Sequence, residues 1–391
     1  PSGLKNKTLK TMEFRFTIAL IYDFDGTLAP GNMQEYDFIP AVGKSNKEFW
    51  TEANTLAEEQ DADMVLTYMA RMIQEAKSKG LSLRREAFQE SGRNIRLFPG
   101  VKEWFGRINA YAAARGVRVL HYINSSGLKE MIEGTAIANE FEKIYASTFF
   151  YSEKGVAKWP AQVVNYTNKT QFLFRIEKGV LDINDPGVNE SFAPEDIRVP
   201  FRNMIYIGDS DTDIPCMKLV TTYGGHSIGV YNADTLDKTK VYKMMREGRI
   251  RYFAPADYSE GTQLDELVKA IIDRTATNER LEGIHFRCKK ENIEADKQNS
   301  EEELEKTDSL ISLENSRSFT RTHEVIKKLS RYNTWSPAEL SLLFRIAANN
   351  SQVRYIIRDT DVKLFYSQLL GKVKKETEEV KIIRELLENE E

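Results

Sequence analysis

The sequence is short of cysteine and of long apolar runs. Its 391 residues include only two cysteines, Cys216 and Cys288, which lie far apart. Two isolated cysteines make neither a disulfide framework nor a thiolate metal site. The longest clean apolar run covers residues 16–22 and includes a threonine, whereas a membrane-spanning helix needs about 18 apolar residues. The sequence therefore predicts no membrane span and no membrane partner.

An excess of positive charge is also missing. Lys and Arg number 55 against 59 for Asp and Glu, which gives a formal net charge of −4. No basic field favours nucleic acid as a partner. The first ten residues are polar and lack the apolar core of a secretion signal. Together with the few cysteines, these features predict a reduced, cytoplasmic setting and no bound nucleic acid.

Buried strands alternate with helices along most of the chain. Apolar segments at 14–23, 117–123 and 203–207 are short and rich in β-branched or aromatic residues, which is typical of strands. Helical patterns lie between these segments. The alternation predicts an α/β fold with a doubly wound parallel sheet, in which helices cover both faces.

Changes in composition and in the spacing of apolar residues divide the chain into several parts. Residues 35–98 have helical spacing and interrupt the sheet pattern after its first strand, so we expect an inserted helical cap there. The charged segment that follows the sheet is typical either of a solvated helix or of a flexible linker. The predicted parts are a catalytic core (12–34 and 99–275), the cap (35–98), a charged linker (276–319) and a small helical C-terminal domain (320–391).

Polar side chains follow three of the predicted strands, at the edge of the sheet where ligands bind in doubly wound folds. They are Asp23 and Asp25 after the first strand, Ser125 and Ser126 after the second, and Asp209 and Asp213 after the third. Converging carboxylates repel one another unless a cation lies between them, and carboxylate oxygens suit Mg²⁺. The serines precede a helix start, where backbone N–H groups favour an anion. Metal and anion sites together indicate phosphoryl chemistry.

These motifs resemble a known family. Residues 23–28, with the sequence DFDGTL, resemble the first motif of the haloacid dehalogenase-like hydrolases. Ser125 resembles their second motif, and residues 208–213, GDSDTD, resemble their fourth. The resemblance covers residues 14–275. The phosphoserine-phosphatase-like phosphatases, which have a helical cap after the first motif, are the most similar group within the family.

The resemblance implies catalytic roles. Asp23 would be the nucleophile that forms an aspartyl-phosphate. Asp25 would be the general acid for the leaving oxygen and then the general base for water. Ser125 would hydrogen-bond a transferred phosphoryl oxygen, and Ser126 and Gly127 would complete that part of the substrate site.

The resemblance also implies a metal site. Mg²⁺ would be held by Asp23, by the backbone carbonyl of Asp25 and by Asp209, and would screen the repulsion between nucleophile and phosphate. Asp213 would orient a water on the metal or the family's lysine. The predicted metal residues are therefore Asp23, Asp25, Asp209 and Asp213.

The family also uses a lysine between its second and fourth motifs. The sequence offers Lys154, Lys158, Lys169 and Lys178. We favour Lys169 for catalysis and substrate binding, with Lys158 as the second choice. Lys169 precedes the apolar run 171–176, which we expect to be a strand within a region of β-hairpins.

Other residues near the motifs are expected to be structural. Asn124 stands where the family usually has an apolar residue, so it should affect packing more than chemistry. Trp50, Tyr68 and Met72 have the spacing of an amphipathic helix core. Cys216 follows the last motif and is predicted to be a buried thiol.

The predicted function is Mg²⁺-dependent hydrolysis of a small phosphomonoester. A phospho-amino acid is the family-level expectation for the substrate, since a closed cap favours small molecules. Two alternatives remain open: a phosphotransferase or phosphomutase of the same family, and a phospho-ligand-sensing adaptor that works through its C-terminal domain. In either case a protein partner for that domain stays open.

Overall fold

The computed structural model describes residues 16–192, 196–235, 237–295, 301–373 and 376–388. The start of the first predicted strand at residues 14 and 15 lies outside this range, as does the end of the tail at 389–391. The described residues divide into two compact units. The first comprises the chain to Ile183 together with Arg198–Arg280, and the second comprises Asn184–Ile197 together with Leu281 and the residues after it.

A seven-stranded sheet forms the centre of the first unit, with the order β4-β3-β2-β1-β5-β6-β7. All neighbouring strands are parallel except β3 and β4, which are antiparallel. The strands are β1 (Phe16–Tyr22), β2 (Val117–Leu128), β3 (Lys143–Tyr151), β4 (Ala157–Gln162), β5 (Met204–Gly208), β6 (His226–Tyr231) and β7 (Tyr252–Pro255).

The central position of β1 explains its apolar sequence. Residues of β1 alternate between the two faces of the sheet, and both faces are covered, so nearly every position is buried. Ile18 and Leu20 pack on one face with Trp104, whereas Ala19 and Ile21 pack on the other face. The predicted doubly wound α/β fold is confirmed.

Helices of the first unit connect these strands. They are α1 (Phe38–Ala41), α2 (Asn46–Gln60), α3 (Met64–Ser78), α4 (Arg85–Arg93), α5 (Val101–Ala113), α6 (Lys129–Gly134), α7 (Thr170–Lys178), α8 (Ile214–Thr222), α9 (Thr239–Arg246) and α10 (Gln263–Ala295), whose last turns belong to the second unit. Helices α1–α4 lie between β1 and β2, where the sequence predicts a helical insertion. Ser45 and Asp63 accept hydrogen bonds from the first turns of α2 and α3 and so fix their starts.

The prediction of a strand at 171–176 is wrong, because α7 occupies this segment. Its buried side chains Phe172, Leu173 and Ile176 recur at the spacing of one helix face, and they pack against the sheet. Gly179, with φ of 74°, ends the helix in the left-handed conformation that favours glycine. The hairpin pattern holds only for β3 and β4.

The second unit is helical. After α10 it contains α11 (Glu301–Glu314), α12 (Phe319–Leu329), α13 (Pro337–Asn349), α14 (Ser351–Tyr355), α15 (Thr360–Leu370) and α16 (Glu378–Glu388). These helices share a core that includes Leu313, Ile326, Phe344 and Ile383. The predicted start at Ser336 is confirmed by a capping box with Glu339.

The charged segment at 276–319 is not an irregular linker in its described residues, since α10 and α11 cover most of it. Residues 296–300 within it lie outside the described range. Of the two interpretations left open by the sequence, the helical one therefore holds for these parts. No helix among the described residues combines the length and the apolar character needed to cross a membrane. The other domain boundaries stay predictions.

Candidate active site

The loop after β1 presents two acidic residues at the centre of the sheet edge. β1 pairs with β2 and β5 so that Tyr22 lies opposite Ile123 and Ile207, and the backbone N–H of Asp23 donates to the Ile207 carbonyl at 3.0 Å. The residues that follow the three strands therefore meet, as expected for parallel strands. Asp23 is buried at this junction.

Gly26 makes the sharp turn between Asp25 and the rest of the loop. Its φ is 74°, a conformation that favours glycine. A Cβ atom at this position would lie 2.3 Å from Oδ2 of Asp209. Glycine is thus required both by the backbone conformation and by the close approach of Asp209, which follows β5.

Lys169 reaches the acidic cluster from the 3₁₀ turn Tyr166–Lys169 that precedes α7. Its Nζ donates to Oδ1 of Asp213 at 2.8 Å, to Oγ1 of Thr212 at 3.1 Å and to Oδ1 of Asp23 at 3.4 Å. Burial opposes the charge of Lys169, but the carboxylates of Asp213 and Asp23 outweigh burial and raise the pKa of the ammonium group. Lys158, the second choice, is exposed on β4 and is not brought into this cluster.

Asp213 is fully buried and all its described partners are donors. Oδ1 accepts from Lys169 and, at 2.8 Å, from the hydroxyl of Tyr206. Oδ2 accepts from the backbone N–H of Ser210 at 3.2 Å and from its Oγ at 3.1 Å. Asp213 therefore fixes the position of Lys169. The sequence analysis missed Tyr206, which lies on β5 before the motif and carries no signal that separates it from other core tyrosines.

Asn124 also contacts Lys169, but it binds the backbone carbonyl of the lysine rather than its side chain. Its Nδ2 donates to the Lys169 carbonyl at 3.1 Å and makes a longer contact of 3.6 Å with Sγ of Cys216. Both Asn124 and Cys216 are fully buried. The unusual residue before Ser125 thus ties β2 to the turn that carries the lysine.

The carboxylates of Asp23, Asp209 and Asp213 each place an oxygen within 4.8 Å of the others. The Asp25 side chain points elsewhere, because its Oδ1 accepts from the backbone N–H of Met33 at 2.9 Å. Among the predicted metal residues, the structure therefore brings three carboxylates together and leaves the Asp25 carboxylate outside the cluster.

Burial and mutual repulsion raise the pKa of three carboxyls. Burial and then the charge of Asp213 raise the pKa of Asp23 to about 6. Burial and then Asp23 raise the pKa of Asp209 to about 8 and that of Asp25 well above its usual range. Lys169 alone does not balance this charge. A divalent cation among these hard oxygen donors would relieve the repulsion, so the residues fit Mg²⁺.

The end of β2 contributes Ser125, Ser126 and Gly127. The Ser125 hydroxyl is buried beside Asp23, and its Oγ accepts from the backbone N–H of Gly127 at 3.1 Å. The Ser126 hydroxyl is buried without a hydrogen-bond partner among the described residues. The Ser125 hydroxyl therefore lies next to the nucleophile candidate, and Ser126 lines the same cavity with a hydroxyl that no described residue bonds.

These groups open into one cavity of about 570 Å³, a size typical of small-molecule sites. Its floor includes Asp23, Asp25, Ser125 and Asp209. Trp50 and Tyr68 from the insertion line it as well, whereas Met72 is buried in the core as predicted. For Trp50 and Tyr68, the expectation of a purely structural role is therefore too narrow.

The fold and this site define an α/β protein with an acidic, small-molecule cavity at the carboxyl edge of its sheet. A family model for haloacid dehalogenase-like hydrolases matches residues 20–218, just over half of the chain. The chain belongs to this family. An uncharacterized protein from Borreliella burgdorferi is 29% identical over 279 residues, which cover 63% of this chain and 93% of that protein.

Several solved structures are similar at lower identity. A haloacid dehalogenase family hydrolase from Salmonella enterica serovar Typhi is 17% identical with a TM-score of 0.43, covering 65% of this chain and 70% of that one. A phospho-aspartyl intermediate analogue of phosphoserine phosphatase is 15% identical with a TM-score of 0.39, covering 66% and 99%. Family membership rests on the match to the family model rather than on these structural similarities.

Proposed function

We propose that this chain is a Mg²⁺-dependent phosphatase that hydrolyses a small phosphomonoester through an aspartyl-phosphate on Asp23. One observation carries the proposal: Asp23 lies on the floor of the cavity, within 3.4 Å of the buried ammonium of Lys169 and beside Asp209. A nucleophilic carboxylate next to fixed positive charge is suited to attack an anionic phosphate.

In the first step, an oxygen of Asp23 attacks phosphorus and the bond from phosphorus to the leaving alcohol breaks. Asp25 gives its proton to the leaving oxygen. The pKa of Asp25 is raised first by burial and next by the charge of Asp23, and a raised pKa favours the protonated form that a general acid needs.

In the second step, water attacks phosphorus and the bond from phosphorus to Asp23 breaks. Asp25, now ionised, accepts the proton of that water. Inorganic phosphate leaves, and Asp23 is again a free carboxylate. The two steps use one acid–base group in opposite directions, as microscopic reversibility requires.

Ser125 is placed to hold a phosphoryl oxygen, and the buried ammonium of Lys169 supplies positive charge beside Asp23. Lys169 is kept charged by Asp213 and cannot turn away, because Asp213, Thr212 and Asp23 accept its hydrogen bonds. Ser125 places a hydroxyl beside Asp23, and Ser126, whose hydroxyl no described residue bonds, also lines the cavity. Donors fixed before the substrate arrives need little reorganisation during the reaction.

Mg²⁺ would be held by the carboxylates of Asp23 and Asp209 and by the backbone carbonyl of Asp25. When bound, the ion supplies positive charge that offsets the repulsion between the Asp23 carboxylate and the phosphate. Asp213 would act indirectly, because its oxygens already accept from Lys169, Tyr206 and Ser210.

Phosphate release from para-nitrophenyl phosphate in Mg²⁺ tests the proposal. We expect turnover by the full chain, its loss in EDTA, and its loss in Asp23→Asn with the fold intact by circular dichroism. Asp211→Asn is the matched control, since Asp211 is an exposed residue of the Asp209 loop. Undiminished turnover in Asp23→Asn would refute the mechanism, and retention of the phosphoryl group in an organic product would favour a phosphotransferase.

A further inference from the structure

Two aromatic side chains of the insertion, those of Trp50 and Tyr68, line the cavity. The rings of Trp50 and Tyr68 lie 5.7 Å apart at an angle of 73°. Nε1 of Trp50 donates to Oε1 of Glu35 at 2.8 Å, and the Tyr68 hydroxyl donates to the Ser126 carbonyl at 2.8 Å. The polar atoms of both rings are thus engaged with the protein. What remains for a ligand is ring carbon and the negative faces of the rings.

The charges around the cavity are mostly negative. Among the described residues that line it, Lys240 is the only lysine or arginine. Lys240 is exposed, and its charge acts on Asp209 and Asp237. The lining residues of the insertion are neutral. A carboxylate on the leaving group would therefore meet no cation among the described lining residues of the insertion.

An unpaired acceptor points to the same conclusion. Gln34 lines the cavity and is buried, and its Oε1 has no hydrogen-bond partner among the described residues. The Glu35 carboxylate, which fixes Trp50, lies next to it in sequence and adds negative charge. Acceptors and negative charge favour a cationic or donating ligand group and disfavour an anionic one.

We propose that the leaving group of the substrate carries a compact alkylammonium cation, which binds against Trp50 and Tyr68. This inference rests on the proposed phosphatase function and specifies its substrate class. The two rings pack edge to face, so the ring surface left for a ligand is small and suits a compact ammonium better than a large flat base. Aromatic faces attract such cations, most strongly when water is excluded. A phospho-amino acid, the family-level expectation, carries an ammonium group as well but adds a carboxylate, so this inference ranks it below a substrate without one.

Two matched pairs of substrates test the inference with the full chain in Mg²⁺. Phosphoethanolamine and O-phosphoserine differ by one carboxylate. Phosphocholine and its carbon isostere, in which a tert-butyl group replaces the trimethylammonium group, differ by one charge at nearly constant shape. We expect kcat/KM to favour phosphoethanolamine and phosphocholine by about tenfold or more in their respective pairs.

Variants of Trp50 locate the effect. Trp50→Leu should reduce the preference for phosphocholine over its carbon isostere to about twofold or less, and Trp50→Phe should retain an intermediate preference, because Phe keeps a weaker aromatic face. Trp159→Leu is the matched control, since Trp159 is exposed on β4 and does not line the cavity. A ratio of two substrates is insensitive to a general loss of active enzyme.

The outcomes separate this inference from the function on which it rests. Failure to release phosphate from para-nitrophenyl phosphate as well as from all four esters would contradict the phosphatase itself. Turnover of para-nitrophenyl phosphate with equal kcat/KM within both pairs would overturn the ammonium inference alone. Preference for O-phosphoserine over phosphoethanolamine, or for the carbon isostere over phosphocholine, would overturn it as well.

Discussion

Removal of divalent cations should make the first unit less stable as the pH rises from about 6.5 to about 8. The folded chain buries the carboxyls of Asp23, Asp25 and Asp209 close to one another, and burial with mutual repulsion raises their pKa values. An acid whose pKa is higher in the folded than in the unfolded chain binds an extra proton when folded. Stability therefore falls as the pH rises toward the folded pKa.

The pH range over which stability falls is set by Asp209 and by two buried histidines. Burial raises the pKa of Asp209 to about 8, from an ordinary value of 3.8. Burial lowers the pKa of His121 to about 3 and that of His226 to about 4, from 6.5. These histidines give stability that is present above about pH 6.5 and is lost as the pH falls, which masks the aspartate effect in acid. Above about pH 7 the histidines are largely neutral in both states, so their opposing contribution becomes small.

Linkage gives the size of the effect for Asp209. The folded chain carries about one more proton on Asp209 than the unfolded chain at pH 6.5, and raising the pH to 8 reduces the free energy of unfolding by up to about 1.5 kcal/mol, given a folded pKa of about 8. For a unit of this size, that change lowers Tm by about 3 to 6 °C. Asp25, whose pKa is also raised, acts in the same direction.

Calorimetry of the full chain in EDTA measures this decline in the transition of the first unit. Asp209→Asn should flatten the decline, because a carboxamide does not titrate, and Mg²⁺ should abolish it in the wild-type chain by favouring the ionised carboxyls. A Tm that stays constant or rises over this range in EDTA would refute the reasoning. So would an equal decline in Asp209→Asn.

Three substitutions test separate parts of the site. Asp25→Asn should reduce steady-state turnover about 10²- to 10⁴-fold. It should still give a burst of nitrophenol from para-nitrophenyl phosphate, because the leaving oxygen of this substrate needs no proton. Absence of the burst in stopped-flow absorbance would indicate that Asp25 is the nucleophile. Asn124→Leu removes the hydrogen bond to the Lys169 carbonyl and should lower kcat more than it changes KM in steady-state assays, whereas unchanged kcat would exclude a positioning role. Gly26→Ala places a Cβ atom against Asp209 and should raise the Mg²⁺ concentration for half-maximal activity, and an unchanged Mg²⁺ titration would contradict the metal site.

The positions of the acidic residues follow from the sequence because they depend on local features. A short apolar segment that ends in Asp23 and Asp25 predicts a strand with carboxylates at its tip, and a second such segment does so for Asp209. Parallel strands bring such tips to one edge of the sheet. Ordered motifs and a parallel sheet are thus sufficient to predict that these side chains converge.

The surroundings of Lys169 could not be predicted in the same way. The apolar run after it alternates enough to suggest a strand, but packing against the sheet selects the helix α7. The contacts of Tyr206 and Asn124 with Asp213 and Lys169 join elements that are distant in the chain. Such contacts depend on how side chains pack across the sheet, and a local sequence pattern does not predict them.

For a related reason, the sequence does not predict that Trp50 and Tyr68 line the cavity. Both occupy positions that an amphipathic helix would bury, and a helical pattern does not distinguish a core from the wall of a cavity. Only the three-dimensional arrangement shows that their rings face the same cavity as Asp23.

Chemical trapping of the phosphoryl group on Asp23 tests the central claim most directly. The full chain would be mixed with para-nitrophenyl phosphate and Mg²⁺, quenched in acid during turnover, and reduced with borohydride, which converts an aspartyl-phosphate into homoserine. Peptide mass spectrometry should then find homoserine at position 23 only when substrate is present. Homoserine at another aspartate, or none at position 23 while phosphate is being released, would contradict covalent catalysis by Asp23.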